Sequence, residues 1–487
     1  MMKKIIYNIA FLVLITSCSD LEVTPDGINT AENLFQTERD AEAAVNAMYS
    51  SMQTHDVYNQ FMEVVQSQGT DDAEWGYGRN TGNINKLQMD KFQFDASAEL
   101  LYRFWENHYV NINRTNIVLT QVPDMSIDAE LKARFLGEAH FVRALMYFNL
   151  VRLFGKVPVI TTPTTTLEGL NVPRNTIDEV YALIVSDLES CKESLPLQYG
   201  SVNYGRPTQG AAMALLTKVY LNNEQFDEAR QEALDVIELG TYSLWPTYGE
   251  VFEIANENIG ESIFEIQFKS TEGTNGAVSS SYAGFFRPSS AVVAPPQGSF
   301  GGFGDNPVTE NHYQIYTSGD QRKDVNVLHV PTAPSSIQYP YYVNKYQDPD
   351  ALTVGDGGNN YYILRYADVL LMYAEAENAV NGPTAAAYDA FNQVRRRAYS
   401  FSTTLPSSAD LTAGLSDVQF LDSLKLERRK EFAFEGQRRF DLLRWGDLAD
   451  AMAKQDPSIL VQDRHKLFPI PEQELIVNDM LDQNDDY

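Results

Sequence analysis

Apolar residues recur at steps of three and four along much of the chain, and several of the runs are long. Leu131 to Phe154 is apolar on more than one side, which predicts a well-buried helix that Gly155 and Pro158 bring to an end. Leu34, Ala41, Ala44, Val45 and Met48 place a helix over 31–52. Tyr102, Trp105, Tyr109, Ile112 and Val118 place another over 100–122. Phe61 to Gln68 reads as further helix. Thr176 with Glu179 three residues on forms a capping box and opens a helix that runs to Leu195. Gly210 to Leu239 reads as a helical hairpin turning at Asn222-Asn223-Glu224, and Tyr362 to Arg397 as a second one turning at Asn381-Gly382-Pro383.

Leu424 to Leu448 completes the helical pattern. Read as one helix, it aligns Leu421, Leu424, Phe432, Phe440 and Leu443 on one face, with Gly436 among them where a neighbour passes close. Charged residues fill the gaps, and Glu435 and Arg439 are spaced to pair along that helix. A phosphate-binding or active cluster is one reading. Charge runs at helical spacing are more often the solvated rim of a packing helix, so the structural reading is preferred. Between the hairpins the pattern changes. Ile263 to Phe268 is a short strand, and Ser270 to Gly304 carries seven glycines, three prolines and five aromatic residues. Tyr339 to Tyr346 adds another aromatic cluster, and 69–85 is a second irregular loop. The fold class is mostly α: a scaffold of tetratricopeptide-type helix pairs with a loop-rich, minor-β region over about 241–361.

The first residues read as an export signal. Lys3 and Lys4 precede an apolar run too short to span a bilayer, and Ile15-Thr16-Ser17-Cys18 is similar to a bacterial lipobox. On that reading 1–17 is a signal peptide, Cys18 carries lipid, and 18–30 is a tether to a single domain over 31–487. Multiple acyl chains hold a protein on a membrane where one does not. Cys191 is then the only remaining thiol, so no internal disulfide forms, and its helical setting predicts burial. The formal charge of −29 makes nucleic acid an unfavourable partner.

No catalytic motif emerges. The six histidines lack helical metal-site spacing, and there is no HExxH, nucleophile elbow or P-loop. Asp348 to Asn360, DPDALTVGDGGNN, lacks the spacing of a calcium loop and reads as a solvated turn. No cofactor or metal is expected. What the chain offers is aromatic rings among polar groups in loops. Asp72, Trp75, Tyr77, Arg79 and Asn80 form one such group, and Tyr282, Phe285, Phe286 and Arg287 another. Rings facing water need a reason, and neutral sugars supply one by stacking their C–H faces on them. The alternative is that these loops fold back and bury their rings.

Five segments together resemble one family. ERRKEFAFEGQRRFDLLRWG, GEAHFVRALMYFNLVRLFGKVPVI, GRPTQGAAMALLTKVYL, RYADVLLMYAEAEN with FNQVRRRA, and the closing HKLFPIPEQELIVNDMLDQNDDY are similar, in order, to signatures of the SusD/RagB nutrient-binding lipoproteins of Bacteroidota. The family's usual Asn-Pro and Asn-Pro-Gly-Tyr endings are replaced by Asn478-Asp479 and by Asn484 to Tyr487. The resemblance implies helix pairs bearing ligand-binding loops, non-catalytic capture of oligosaccharide at the cell surface, and delivery to a SusC-like TonB-dependent barrel. Some relatives handle peptides, which leaves peptide or another nutrient as the alternative ligand.

Overall fold

Helices laid side by side in chain order make up most of the computed structural model, which describes residues 35–62, 69–75, 84–166, 169–271, 278–288, 302–331 and 340–487. They are α1 (Glu38–Met52), α2 (Ile84–Asp90), α3 (Glu99–Gln121), α4 (Ala129–Phe154), α5 (Ile177–Ser194), α6 (Gln209–Asn222) and α7 (Phe226–Glu238). After the loop-rich part come α8 (Tyr366–Asn381), α9 (Ala385–Ala398), α10 (Asp417–Glu431), α11 (Arg438–Arg444) and α12 (Leu448–Gln455). The packing follows the chain: α1 lies on α3, α3 on α4, α4 on α5, α5 on α6, α6 on α7, α7 on α8 and α8 on α9. The hairpins α6–α7 and α8–α9 are the helix pairs expected from the sequence. The single-domain boundary at 31 and the Cys18 anchor fall outside the described residues.

The local reasons are legible. Helix α4 has Asp128 as its N-cap, accepting from the Leu131 N–H at 2.9 Å, and buries side chains around its whole circumference from Phe141 to Phe154. Thr176 and Glu179 form the expected capping box of α5. Cys191 is buried against the α4 backbone, its thiol donating to the Gly137 carbonyl at 3.2 Å. Two antiparallel strand pairs supply the β structure of the described residues. β1 (Ser262–Ile266) pairs with β4 (Tyr361–Arg365), and β2 (Val327–His329) with β3 (Tyr341–Val343). Residues 362–365 are therefore strand, not the start of a helix. A short, fully buried apolar run has no periodicity to separate the two, and its aromatic and β-branched residues favour the sheet.

The stretch from Leu424 to Leu448 is not one helix. Helix α10 ends at Glu431, the chain turns through Phe432–Gln437, and α11 begins at Arg438. Phe434 and Gly436 sit at positive φ (61° and 70°), so Gly436 serves the turn, where a side chain would be strained. Nor is the charge run a solvated rim. The turn points Glu435 inward, where it meets Arg365 at 2.7 Å and Lys345 at 2.6 Å instead of Arg439. Glu431 pairs with Arg365 at 2.7 Å, with Arg322 at 3.2 Å and with Arg397. Glu261 closes the cluster on Arg365 and Arg397, at 2.7 and 2.9 Å. Burial alone pushes the Glu431 carboxyl up, but the guanidiniums of Arg397, Arg365 and Arg322 outweigh it and hold it at about 2. Mutual pairing is what allows so many charges inside.

Residues 348–360 are likewise not a solvated turn. Asp348 is buried and accepts from the N–H groups of Asp350 and Gly358, at 2.9 and 2.7 Å. Asp356 is buried and accepts from the Thr271 N–H at 2.7 Å, bracing this segment against the loop that carries Tyr282 to Arg287.

Candidate functional site

The two loops singled out in the sequence lie some two hundred residues apart, and the segment 302–309 stitches them together. Its first half runs along 284–288. Phe303 donates its N–H to the Gly284 carbonyl (3.0 Å), Gly304 to Arg287 (2.9 Å) and Asp305 to Phe285 (2.8 Å). A Cβ on Gly302 would stand 2.1 Å from the Arg287 carbonyl oxygen, so only glycine permits this approach. Its second half runs along 72–74. Glu74 donates to the Pro307 carbonyl (3.0 Å) and Thr309 to Asp72 (3.1 Å), with Ala73 and Val308 as a bridge pair.

Rings gather on this frame. Phe303 is 49 % exposed and lies against the half-buried Phe285, their centroids 5.6 Å apart. The exposed His55, on a π-helical turn over His55–Asn59, meets the Phe285 ring edge-on at 6.1 Å. Beneath them Lys86 of α2 holds its ammonium 5.1 Å from the Phe285 centroid and 5.0 Å from that of Trp75. Asp305 fixes the ammonium at 2.6 Å. A cation over two rings and under a carboxylate ties the platform to the scaffold.

Helices α10 and α11, on either side of the Phe432–Gln437 turn, also anchor the site. Arg429 of α10 pairs with Asp72 at 2.7 Å, and Arg438 of α11 with Asp71 at 2.8 Å. His312 Nδ1 lies 2.9 Å from Asp72. Burial raises the Asp72 carboxyl, but His312 and Arg429 prevail and hold it well below the usual range.

The structure gathers Trp75 and Phe285 around Lys86, but Trp75 is 5 % exposed and so is a support for the platform and not a ring that faces water, and the other expected residues are placed elsewhere. Asp72 is an internal anchor. Tyr282 is 2 % exposed, stacked on Tyr361 at 5.1 Å, and donates its hydroxyl to the Tyr58 carbonyl. Phe286 is buried against Tyr282, and Arg287 is buried with its guanidinium on Gln347 at 2.8 Å. Tyr77, Arg79 and Asn80 lie outside the described residues. His55, Lys86 and Asp305 were not found by sequence reasoning, because nothing local in them signals their meeting. Phe303 had a signal: it stands between Gly302 and Gly304 in the uncharged run 288–304.

Two family models match the chain, one described as the SusD family over residues 333–487 and one as starch-binding associating with the outer membrane over 21–221. The chain is SusD-like over both of these stretches. A SusD-like protein of Formosa agariphila, P25, is 27 % identical over 99 % of this chain and 98 % of its own. A solved laminarin-binding SusD-like protein superposes with a TM-score of 0.80 at 27 % identity, covering 93 % of this chain and all of the other. Surface glycan-binding protein A from Bacteroides fluxus superposes with a TM-score of 0.79 at 25 % identity, with the same coverages. Neither SusD model describes a catalytic family, and one describes outer-membrane association. Among the described residues no helix is long and apolar enough to cross a membrane.

Proposed function

We propose that this SusD-like protein captures a neutral glycan at the outer-membrane surface and does not alter it chemically. The observation that carries this reading is the Phe285–Phe303 platform: two adjacent rings, one half exposed, presented on a braced frame. A flat apolar face beside polar groups suits the C–H face of a sugar ring and its hydroxyls. Relatives that are named for binding laminarin or surface glycan share the fold over nearly the whole chain. Trp75 and Lys86 support the platform from below. On the same reading, lipid on Cys18 keeps the protein at the membrane. The ligand passes to a SusC-like TonB-dependent transporter, docked on the helical face away from the loops.

The test is retardation in gels containing a panel of polysaccharides, with laminarin and starch among them. Wild-type protein is retarded by at least one glycan, and Phe303→Ala and Phe285→Ala reduce the retardation while melting normally. Retardation unchanged in both variants removes the platform from the reading. Absence of retardation by every glycan, with binding to a peptide library, replaces glycan by peptide.

A further inference from the structure

A second concavity lies where the α5–α6 connection faces residues 241–264. Its volume is about 210 Å³. Tyr199, Tyr204, Tyr242 and Phe264 give it aromatic walls, and Gln198 and Asn258 add amides. It shares no lining residue with the Phe285–Phe303 platform. Tyr204 is 47 % exposed and stands at the opening beside the exposed Leu197 and Ile259.

The walls are braced and carry no unpaired charge. Arg206 is the one charged lining residue, and its guanidinium is taken by Glu138 at 2.6 Å, Asn46 at 3.1 Å and Asn203 at 3.1 Å. Tyr242 shares a hydrogen bond with Thr208 at 2.9 Å, and Asn258 exchanges two amide bonds with Gln267, at 2.8 and 2.9 Å. A charged ligand would find no counter-charge here, which selects for a neutral one. Tyr204 is the wall residue that stays open: its ring is half exposed, whereas the Tyr199 hydroxyl is turned in towards Glu138 and Arg206 and is closed off. Size narrows the ligand further. Clefts for drug-sized molecules run from roughly 300 to 1,000 Å³, so this one holds a single ring.

We propose that this cavity is a second subsite that takes one neutral hexose or pentose unit, at a chain end or branch, with its C–H face on the exposed ring of Tyr204. The inference rests on the glycan reading above, while the site is separate from the platform. Two contacts to one glycan, spaced apart on one protein, would select for chains long enough to reach both.

Calorimetric titration of the full chain with glucose, galactose, mannose and xylose, each alone, tests it. At least one of the four binds saturably. Tyr204→Ala weakens that binding by at least about tenfold, and Phe303→Ala leaves it in place. Tyr204 is half exposed, so its removal keeps the fold and the test. Saturation by none of the four overturns the subsite, as does binding that Tyr204→Ala leaves unchanged. Polysaccharide gels separate the two levels. Retardation that survives without any cavity effect leaves glycan capture standing and removes the subsite alone. Loss of both removes both.

Discussion

The cluster around Glu431 and the platform around Phe303 are built from the same two kinds of side chain, rings and charges, and put them to opposite use. In the cluster Glu431, Arg322 and Arg397 are wholly buried, and the rings are fillers: Arg365 lies 4.3 Å from the Phe432 centroid. On the platform the rings reach the surface, and the charges, Lys86 and Asp305, are the buried support. What separates them is satisfaction of charge. A set of carboxylates and guanidiniums that pair with one another can be sealed off, and sealing strengthens the pairs. Rings have no such partner to find, so their exposure is decided by how the backbone is pinned, here by the hydrogen bonds of 302–309. The helices that carry the cluster also hold the platform, since Arg429 and Arg438 pair with Asp71 and Asp72.

The contrast can be broken most strongly at Glu431. Replacing it with Gln leaves three buried guanidiniums short of a counter-charge and costs about 3–5 kcal/mol, read by urea unfolding at pH 7. The sign with pH follows from a carboxyl held at about 2 in the fold against an ordinary 4.5. Its contribution is complete above pH 4.5 and is lost as pH falls towards 2, so the wild-type chain loses this part of its stability in acid and Glu431→Gln has none to lose. A variant as stable as the wild type at pH 7 would show that the cluster is not an energetic unit.

The platform should respond in the reverse manner. Phe303→Ala weakens glycan binding by about 2 kcal/mol, the loss expected of a central aromatic anchor. Its stability changes by about 0.5 kcal/mol or less, as for other surface positions. Equal losses in both measurements would make Phe303 a packing residue like Phe432.

Glu257 sharpens the comparison, because it is a half-buried carboxyl whose charged neighbours are other carboxyls. Burial, the carboxylate of Glu265 and that of Asp348 raise it to about 8, against an ordinary 4.5. A raised folded-state value means that its favourable, protonated form is retained at low pH and lost as pH rises through 8. Glu257→Gln keeps the acceptor for the Asn360 N–H (2.7 Å). The variant therefore gains on the order of 1–2 kcal/mol over wild type at pH 8 and nothing near pH 4, read from melting curves at both values. The smallest effect belongs to an exposed pair. Arg103 and Glu99 are four apart on α3 and open to water, so Arg103→Ala leaves the melting midpoint unchanged within error.

How much of this was legible depends on the range of the forces involved. The helix pairs, the α5 capping box and the burial of Cys191 are consequences of periodicity and of neighbours within four residues, and the sequence displays both. The break after Glu431 was not legible. Local spacing favours a continuous helix with Glu435 on Arg439, and the partners that overrule it, Arg365 and Lys345, lie seventy or more residues away. The same holds for Asp348 and Asp356, whose polar surroundings read as solvated until the folded loop supplied their donors.

The sequence by itself determined a mostly helical SusD-like scaffold, because apolar period and capping are short-range and five motifs occur in order. It also marked two aromatic loops as candidate ligand contacts. Only the tertiary structure decided which of their rings reach solvent. That depends on Gly302 letting two backbones touch, on Lys86 and Asp305 meeting across two hundred residues, and on part-buried arginines gripping Asp71 and Asp72. These are contacts between distant segments, and no local pattern encodes them.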